Sequence, residues 1–167
     1  DVHATTQCWR LAMENMDTPT ALIFSRQNVN DLPAGTKYSG VEKGAYEVVA
    51  EANPDVVLVA SGSEVSTLAE AAALLAVDGI KARVVSCPSE GLFRRQSKEY
   101  QESILPSGVK TFALTAGLPV IFEGLVGANG RVYGLDSFGF SAPFKVLDEK
   151  LGYTAENIRK EVLAFLK

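Results

Sequence analysis

Apolar positions in the first thirty residues predict one helix and one strand. Over residues 4–16 the apolar side chains recur at intervals of three and four, the spacing of an amphipathic helix; they are Trp9, Ala12, Met13 and Met16. Thr18-Pro19 ends this helix, and residues 20–24 predict a short buried strand. One helix and one strand cannot bury their own faces, so residues 1–30 are interpreted as the tail (helix and strand) of a preceding domain.

Beyond residue 30 the pattern changes twice. Residues 31–44 lose apolar periodicity and are punctuated by glycine and proline, which predicts a linker. Residues 45–167 then alternate short apolar runs with helical periodicity, and this alternation predicts a three-layer α/β/α sandwich with a mostly parallel, mixed sheet of about five strands. The predicted strands are 45–52, 55–60, 83–87, 111–115 and 132–135, and the predicted helices are 64–77, 97–105, 119–126, 144–151 and 154–166.

Composition and charge argue against several classes of protein. The 167 residues are 47% hydrophobic and carry a formal charge of −4, which suits a folded domain and argues against nucleic acid as the main partner. No apolar run reaches the roughly 20 residues of a membrane span. Cys8 and Cys87 are far apart and predict reduced thiols in a cytoplasmic protein. Because the chain starts at Asp1 without methionine, on a predicted helix, we expect a fragment of a longer protein.

Residues 61–64 (Ser-Gly-Ser-Glu) lie between a predicted strand and a predicted helix, where backbone N–H groups could hold a phosphate. The second and third glycines and the lysine of phosphate-binding loops are absent. Ser61 and Glu64 instead have the spacing of a capping box, and a glutamate in the first turn would repel an anion. We favour the cap.

Three further features are considered as candidate functional sites. Residues 137–143 follow a predicted strand, where α/β sheets bind ligands, but offer no acid, base or nucleophile with a partner, so a packing loop is favoured. His3, the only histidine, has no evident orienting neighbour, and a structural role is favoured. The pair Arg94-Arg95 is interpreted as a surface feature.

Arg26 directly follows the predicted strand 20–24, at the end where α/β ligand sites form. Its planar guanidinium matches the oxygens of a phosphate, so an anionic substrate is a natural partner. Position alone leaves a local salt bridge as the favoured alternative.

Segments along nearly the whole chain, in order, resemble the end of the pyrimidine-binding domain and the carboxy-terminal domain of the transketolase family. They are residues 20–28 (TALIFSRQN), 55–65 (DVVLVASGSEV), 83–89 (RVVSCPS) with Phe93 and Gln96, 104–106 (ILP), 137–143 (SFGFSAP) and 151–157 (LGYTAEN). Two departures are Thr115, where an acidic residue is expected, and Phe122-Glu123, which replaces an aromatic-rich stretch.

The resemblance implies a thiamine-diphosphate-dependent homodimer of the pentose phosphate pathway with a divalent metal, Mg²⁺ or Ca²⁺. Such an enzyme moves a two-carbon ketol unit from a ketose phosphate to an aldose phosphate. Arg26 matches the arginine that binds the substrate's terminal phosphate in that family. The metal ligands, the diphosphate loop and the catalytic groups belong to earlier domains of the family, so the resemblance implies no catalytic, cofactor-binding or metal-binding residue in this chain.

Two alternatives stay open from the sequence. One is a free-standing interaction or regulatory α/β module with a small-anion site near Ser61–Glu64. The other is the sibling family of dihydroxyacetone synthase, which shares these motifs and differs in its choice of donor and acceptor.

Overall fold

A mixed five-stranded sheet organises the chain in a computed structural model that describes residues 1–167. The strands are β1 (Tyr46–Val49), β2 (Val56–Ala60), β3 (Ala82–Ser86), β4 (Thr111–Leu114) and β5 (Arg131–Tyr133). Their order across the sheet is β1-β3-β2-β4-β5, with β1 antiparallel to β3 and all other neighbours parallel. The predicted fold class is confirmed.

Helices cover both faces of this sheet. The seven α-helices are α1 (Val2–Glu14), α2 (Glu64–Val77), α3 (Glu90–Arg94), α4 (Lys98–Ile104), α5 (Val120–Val126), α6 (Phe144–Leu151) and α7 (Ala155–Leu166), and Tyr38–Lys43 forms a 3₁₀ helix. Prediction gave α2 the observed bounds and missed α3, which is only five residues long.

Strand β2 supplies both halves of the hydrophobic core. All five of its residues are buried, and because successive side chains of a strand point to opposite faces, they divide between two clusters. Val56, Leu58 and Ala60 pack with α2 and α7, whereas Val57 and Val59 pack with Phe93, Ile104 and Phe122 from the other helical layer. A strand buried on both faces has this continuous apolar sequence, which is why it was predicted correctly.

The buried Arg83 on β3 is the polar centre of the second layer. Its side chain is 9% exposed, and its Nε lies 2.9 Å from Oε1 of Glu47 on β1. The guanidinium also donates to the carbonyl of Glu51, 2.8 Å from Nη2, and to that of Ser103, 2.7 Å from Nη1. One side chain therefore joins strand β1, the loop after it and the carboxyl end of α4.

The first thirty residues differ from prediction. No strand forms over residues 20–24, and Ile23 is 94% exposed. A strand needs a hydrogen-bonded neighbour, and no strand of this chain pairs with that segment. Helix α1 forms, but its predicted apolar stripe faces outward, with Trp9 52% exposed; Cys8 and Leu11 contact the core instead.

We call the exposed set the amino-terminal apolar surface, which consists of Trp9, Met13, Met16, Ile23 and Phe24. The rings of Trp9 and Phe24 stack with centroids 6.3 Å apart, so α1 and the 20–24 segment belong to one surface. Within the predicted linker, Val41 of the 3₁₀ helix is buried against the core. The division into tail, linker and carboxy-terminal domain stays a prediction.

Replacing Arg83 with methionine tests the buried guanidinium. We expect Arg83→Met to lower the free energy of unfolding by about 3 kcal/mol, because several carbonyl acceptors and Glu47 lose a charged donor in a buried site. Chemical denaturation measures this. The exposed pair of Arg131 and Glu161 provides the control, and Arg131→Met is expected to cost less than about 1 kcal/mol. Equal losses for both variants would contradict the assignment.

Candidate functional site

The carboxyl edge of the sheet has the topology of an α/β ligand site. From β2 the chain crosses to β3 on one side, while β4 pairs with β2 on the other, so the strand order reverses between β2 and β4. Because Ala60 pairs with Leu114, the loops that begin at Ser61 and Thr115 leave the sheet side by side. A crevice at this point is where open α/β sheets bind ligands.

The capping box predicted for Ser61 and Glu64 is wrong. Helix α2 begins at Glu64, Ser63 directly precedes it, and no side chain caps the helix. Gly62 has a φ of +65°, a left-handed conformation that favours glycine. Because the chain turns at Gly62, the helix begins only after Ser63. The Ser63 hydroxyl donates to Oε1 of Glu64 at 2.8 Å instead. Gly62, inside this four-residue motif, was the sequence signal that a turn precedes the helix.

Glu64 gives this crevice an acidic character. Burial raises the pKa of its carboxyl, although hydrogen bonds from the Ser63 hydroxyl and the Ala116 backbone N–H oppose the rise. Asp148 adds to the rise in the pKa of Glu64, and burial raises the pKa of Asp148 as well. In its ionised form each of these carboxyl groups would repel an anion, and in its neutral form it carries no charge that attracts one, so the arrangement disfavours a small-anion site at Ser61–Glu64.

Tyr153 fastens the turn between α6 and α7 to the end of β4. Its hydroxyl donates to the Thr115 carbonyl at 2.8 Å, and its ring packs edge-on against Tyr133. Burial, with Tyr133, Glu64 and Asp136 nearby, raises the pKa of Tyr153 to about 12, so the phenol stays a donor. Sequence reasoning used this tyrosine only as part of a resemblance.

Gly152 makes that turn possible. Its φ is +79°, and a Cβ at this position would lie 2.4 Å from the Tyr133 hydroxyl and 2.6 Å from Nδ2 of Asn157. The Tyr133 hydroxyl donates to the Leu151 carbonyl, and Asn157 donates to the Gly152 carbonyl. The segment 151–157 therefore has a structural role in this chain.

The two departures from the family pattern fit the local packing. The Thr115 hydroxyl accepts a hydrogen bond from the Gly117 N–H at 3.0 Å, which stabilises the turn after β4. Phe122 is fully buried with Phe93 in the second core cluster. Both residues are thus accommodated without a change of fold.

Arg26 is exposed and makes no contact with a carboxylate. None of the six ion pairs in the structure includes it, nor does any side-chain hydrogen bond, so the local salt bridge considered from the sequence does not form here. The guanidinium is available to a ligand at the end of an extended segment. Its binding role stays a prediction.

Among the remaining candidates, His3 and Arg94 make local contacts, whereas Cys87 is buried directly after β3. His3 on α1 packs beside Tyr38 with ring centroids 5.2 Å apart, while Arg94 forms an ion pair with Glu90. Burial and Glu90 raise the pKa of the Cys87 thiol to about 12, which makes it a poor nucleophile. Cys8 is half-buried, and both cysteines are free.

The loop 137–143 does not pack as predicted. Phe138 is 98% exposed and Phe140 is half exposed, so the loop presents its aromatic side chains outward. The prediction of a packing loop is wrong for the chain by itself.

The residues present do not fit thiamine diphosphate and its divalent metal. A divalent metal of this kind needs several oxygen ligands, and no three histidine, cysteine, aspartate or glutamate side chains lie close enough together to hold an ion. The one loop with the position of a phosphate cradle carries the half-buried Glu64. None of the helices is sufficiently long and apolar to cross a membrane.

The strand order, the helical layers on both faces of the sheet and the hydrogen bond from Tyr153 to the Thr115 carbonyl define a mixed-sheet α/β/α domain. A family model described as the transketolase-like C-terminal domain matches residues 44–154. The chain is 44% identical over 168 residues to the transketolase of Staphylococcus aureus strain MW2. The chain belongs to the transketolase family and contains its carboxy-terminal domain.

Solved structures agree with this assignment. Transketolase from Leishmania mexicana superposes with a TM-score of 0.92 at 36% identity and is matched over 99% of this chain and 24% of that one. Transketolase from Pichia stipitis in complex with sedoheptulose 7-phosphate superposes with a TM-score of 0.89 at 31% identity, with the same coverage. The match to the Staphylococcus protein covers 98% of this chain and 25% of the relative, so the chain spans about a quarter of its length.

Replacing Glu64 with glutamine tests the charge state of the crevice. Since the pKa of Glu64 is raised in the folded chain, its ionisation costs stability above that pKa, and the cost disappears as the pH falls towards the ordinary glutamate value of about 4.3. We expect Glu64→Gln to increase the free energy of unfolding at pH 7 and to lose this advantage by pH 4, as measured by denaturation at several pH values.

The exposed Glu149 on α6 is the matched control, and Glu149→Gln is expected to follow the wild-type pH profile. A Glu64→Gln variant that is less stable than wild type at pH 7 would show that the carboxylate stabilises the helix start.

Proposed function

We propose that this chain is the carboxy-terminal part of a thiamine-diphosphate-dependent transketolase. The complete protein would transfer a two-carbon ketol unit from a ketose phosphate to an aldose phosphate in the pentose phosphate pathway, as a cytoplasmic homodimer. The observation that carries the proposal is the similarity to transketolases over nearly the whole chain, 44% identity across 98% of it. A Pichia stipitis relative has been solved with a sugar phosphate, which supports a substrate of that class.

The part played by this chain would be binding rather than bond making. Arg26 is exposed and unpaired, and it lies within residues 20–28, the segment that resembles the end of the family's pyrimidine-binding domain. Its guanidinium can donate two parallel hydrogen bonds to phosphate oxygens, which fixes the far end of the sugar. Thiamine diphosphate, bound elsewhere in the enzyme, would supply the carbanion chemistry.

The cofactor proposal can be tested on the isolated 167-residue chain. We expect calorimetric titration with thiamine diphosphate and Mg²⁺ to give no saturable heat and the chain to show no ketol transfer, because it offers neither a carboxylate cluster for the metal nor a free phosphate loop. Saturable binding in the micromolar range would place a cofactor site in this chain.

Replacing Arg26 with alanine in the complete enzyme tests the phosphate contact. A charge-assisted contact contributes about 1.5–3 kcal/mol, so we expect apparent substrate affinity to fall roughly tenfold to a hundredfold. Since the phosphate is remote from the bond that breaks, the loss should be mainly in KM. Arg26→Lys should recover only part of it, since an ammonium lacks the planar fork. Steady-state kinetics with a ketose phosphate donor gives both constants.

Two controls make this experiment decisive. With hydroxypyruvate as donor and an acceptor without phosphate, Arg26→Ala should be close to wild type. Arg95→Ala removes another exposed arginine that forms no ion pair and should leave KM unchanged. If Arg26→Ala impairs both donor classes equally, Arg26 has a structural role.

A further inference from the structure

Arg26 makes no polar contact of its own that sets its position. It forms no ion pair and no side-chain hydrogen bond, so the place of its guanidinium follows from the backbone that carries it. Between Thr20 and Leu32 that backbone makes no backbone–backbone hydrogen bond within the chain. The contacts that hold residues 20–28 therefore decide where Arg26 lies.

Asn15 attaches this segment to the carboxyl end of helix α1. Its side-chain amide donates to the carbonyl of Thr18 at 3.1 Å and to the hydroxyl of Thr20 at 2.9 Å. Its backbone N–H donates to the Leu11 carbonyl at 3.1 Å, which joins Asn15 to the last turn of the helix. The start of the segment is therefore fixed to α1.

An aromatic stack holds the segment two residues before Arg26. The ring centroids of Trp9 and Phe24 are 6.3 Å apart and the ring planes differ by 26°, a distance at which aromatic pairs attract. Trp9 lies in the middle of α1 and six residues before Asn15. Residues 20–24 therefore run back along the helix towards its amino end.

The amino end of α1 holds the chain again after Arg26. The Asp1 carboxylate accepts a hydrogen bond from the Leu32 N–H at 3.1 Å, and it caps the helix by accepting from the Ala4 N–H at 2.9 Å. Arg26 thus lies between two attachments to α1, at Phe24 and at Leu32. Two residues span at most about 7 Å of chain, so a displacement of Phe24 is passed on to Arg26.

We propose that Trp9 is a positioning residue for Arg26. Its indole ring, by stacking on Phe24, fixes the backbone from which the guanidinium reaches the phosphate of the substrate. The proposal rests on the phosphate-binding role proposed for Arg26 and adds the residue on which that role depends. Two parallel hydrogen bonds to a phosphate require a defined geometry, so loss of the stack weakens phosphate binding although the guanidinium is still present.

Steady-state kinetics of the complete enzyme carrying Trp9→Ala tests the proposal. We expect KM for a ketose phosphate donor to rise roughly twofold to tenfold, the range that an aromatic pair contributes, with kcat little changed. Trp9→Phe keeps a ring that can stack on Phe24 and should restore most of the affinity. Met13→Ala removes another exposed apolar side chain of α1 and is the matched control, with KM expected to stay unchanged.

Two further comparisons separate positioning from a general structural role. With hydroxypyruvate as donor and an acceptor without phosphate, Trp9→Ala should be close to wild type. If Trp9 acts through Arg26, Trp9→Ala should leave the KM for the ketose phosphate unchanged once Arg26 is already alanine. Additive effects of the two substitutions would overturn the proposal, as would an unchanged KM in Trp9→Ala, an equal loss with hydroxypyruvate, or an equal loss in Met13→Ala.

Failure of the proposed function is recognised separately. Arg26→Ala alone would then leave the KM for the ketose phosphate unchanged, which would overturn both the phosphate contact and the positioning role. A raised KM in Arg26→Ala together with an unchanged KM in Trp9→Ala would overturn the positioning role only.

The stack itself is tested without substrate in the 167-residue chain, because Trp9 is its only tryptophan. We expect Phe24→Ala to increase the quenching of Trp9 fluorescence by acrylamide, since the indole loses the ring stacked against it. Phe138→Ala removes an exposed phenylalanine elsewhere and should leave the quenching unchanged. Circular dichroism verifies that the variants fold. Unchanged quenching in Phe24→Ala would overturn the stack on which the positioning depends.

Discussion

A buried positive charge joins strand β1, the loop after it and the carboxyl end of α4. Arg83 lies on β3, between β1 and β2 in the sheet. It forms an ion pair with Glu47 on β1 and donates hydrogen bonds to the carbonyls of Glu51 and Ser103. A guanidinium in such a site costs desolvation, and it is tolerated because acceptors surround it. The Tyr100 hydroxyl on α4 also donates to the carbonyl of Ala45, just before β1, at 2.8 Å. The antiparallel edge strand and α4 are therefore positioned by a buried ion pair and by hydrogen bonds to backbone carbonyls.

Sequence reasoning succeeded where periodicity reflects burial on both sides of an element. β2 is apolar throughout and α2 repeats its apolar positions over four turns, so both were recognisable from composition and spacing. It failed where structure depends on a neighbour that the pattern does not reveal. Residues 20–24 have a strand-like composition, but no strand of this chain pairs with them. The cap of α2 was misassigned because Gly62 adopts a left-handed turn that the Ser61–Glu64 spacing conceals.

The candidate site was only partly predictable for a different reason. Arg26 could be singled out by its chemistry and its position after an apolar run, but its lack of a salt bridge is a fact of three-dimensional structure. The turn between α6 and α7 brings Tyr153 near Glu64, which lies far earlier in the chain, and no local pattern couples the two residues. Family resemblance supplied the functional context that geometry in this chain does not contain by itself.

The central position of β2 also constrains how the chain can acquire its structure during synthesis. Both ladders of β2 are formed with strands that follow it, β3 and then β4, so Val57 must wait for Thr111 before its second ladder exists. A nascent chain that has reached only α2 exposes a wholly apolar strand with two open edges. Parallel strand pairings of this kind form slowly, and the partly folded intermediates are prone to aggregation. The two ladders of β2 are complete only after the ribosome has delivered β4, so residues 56–60 keep an open apolar edge until that point of synthesis.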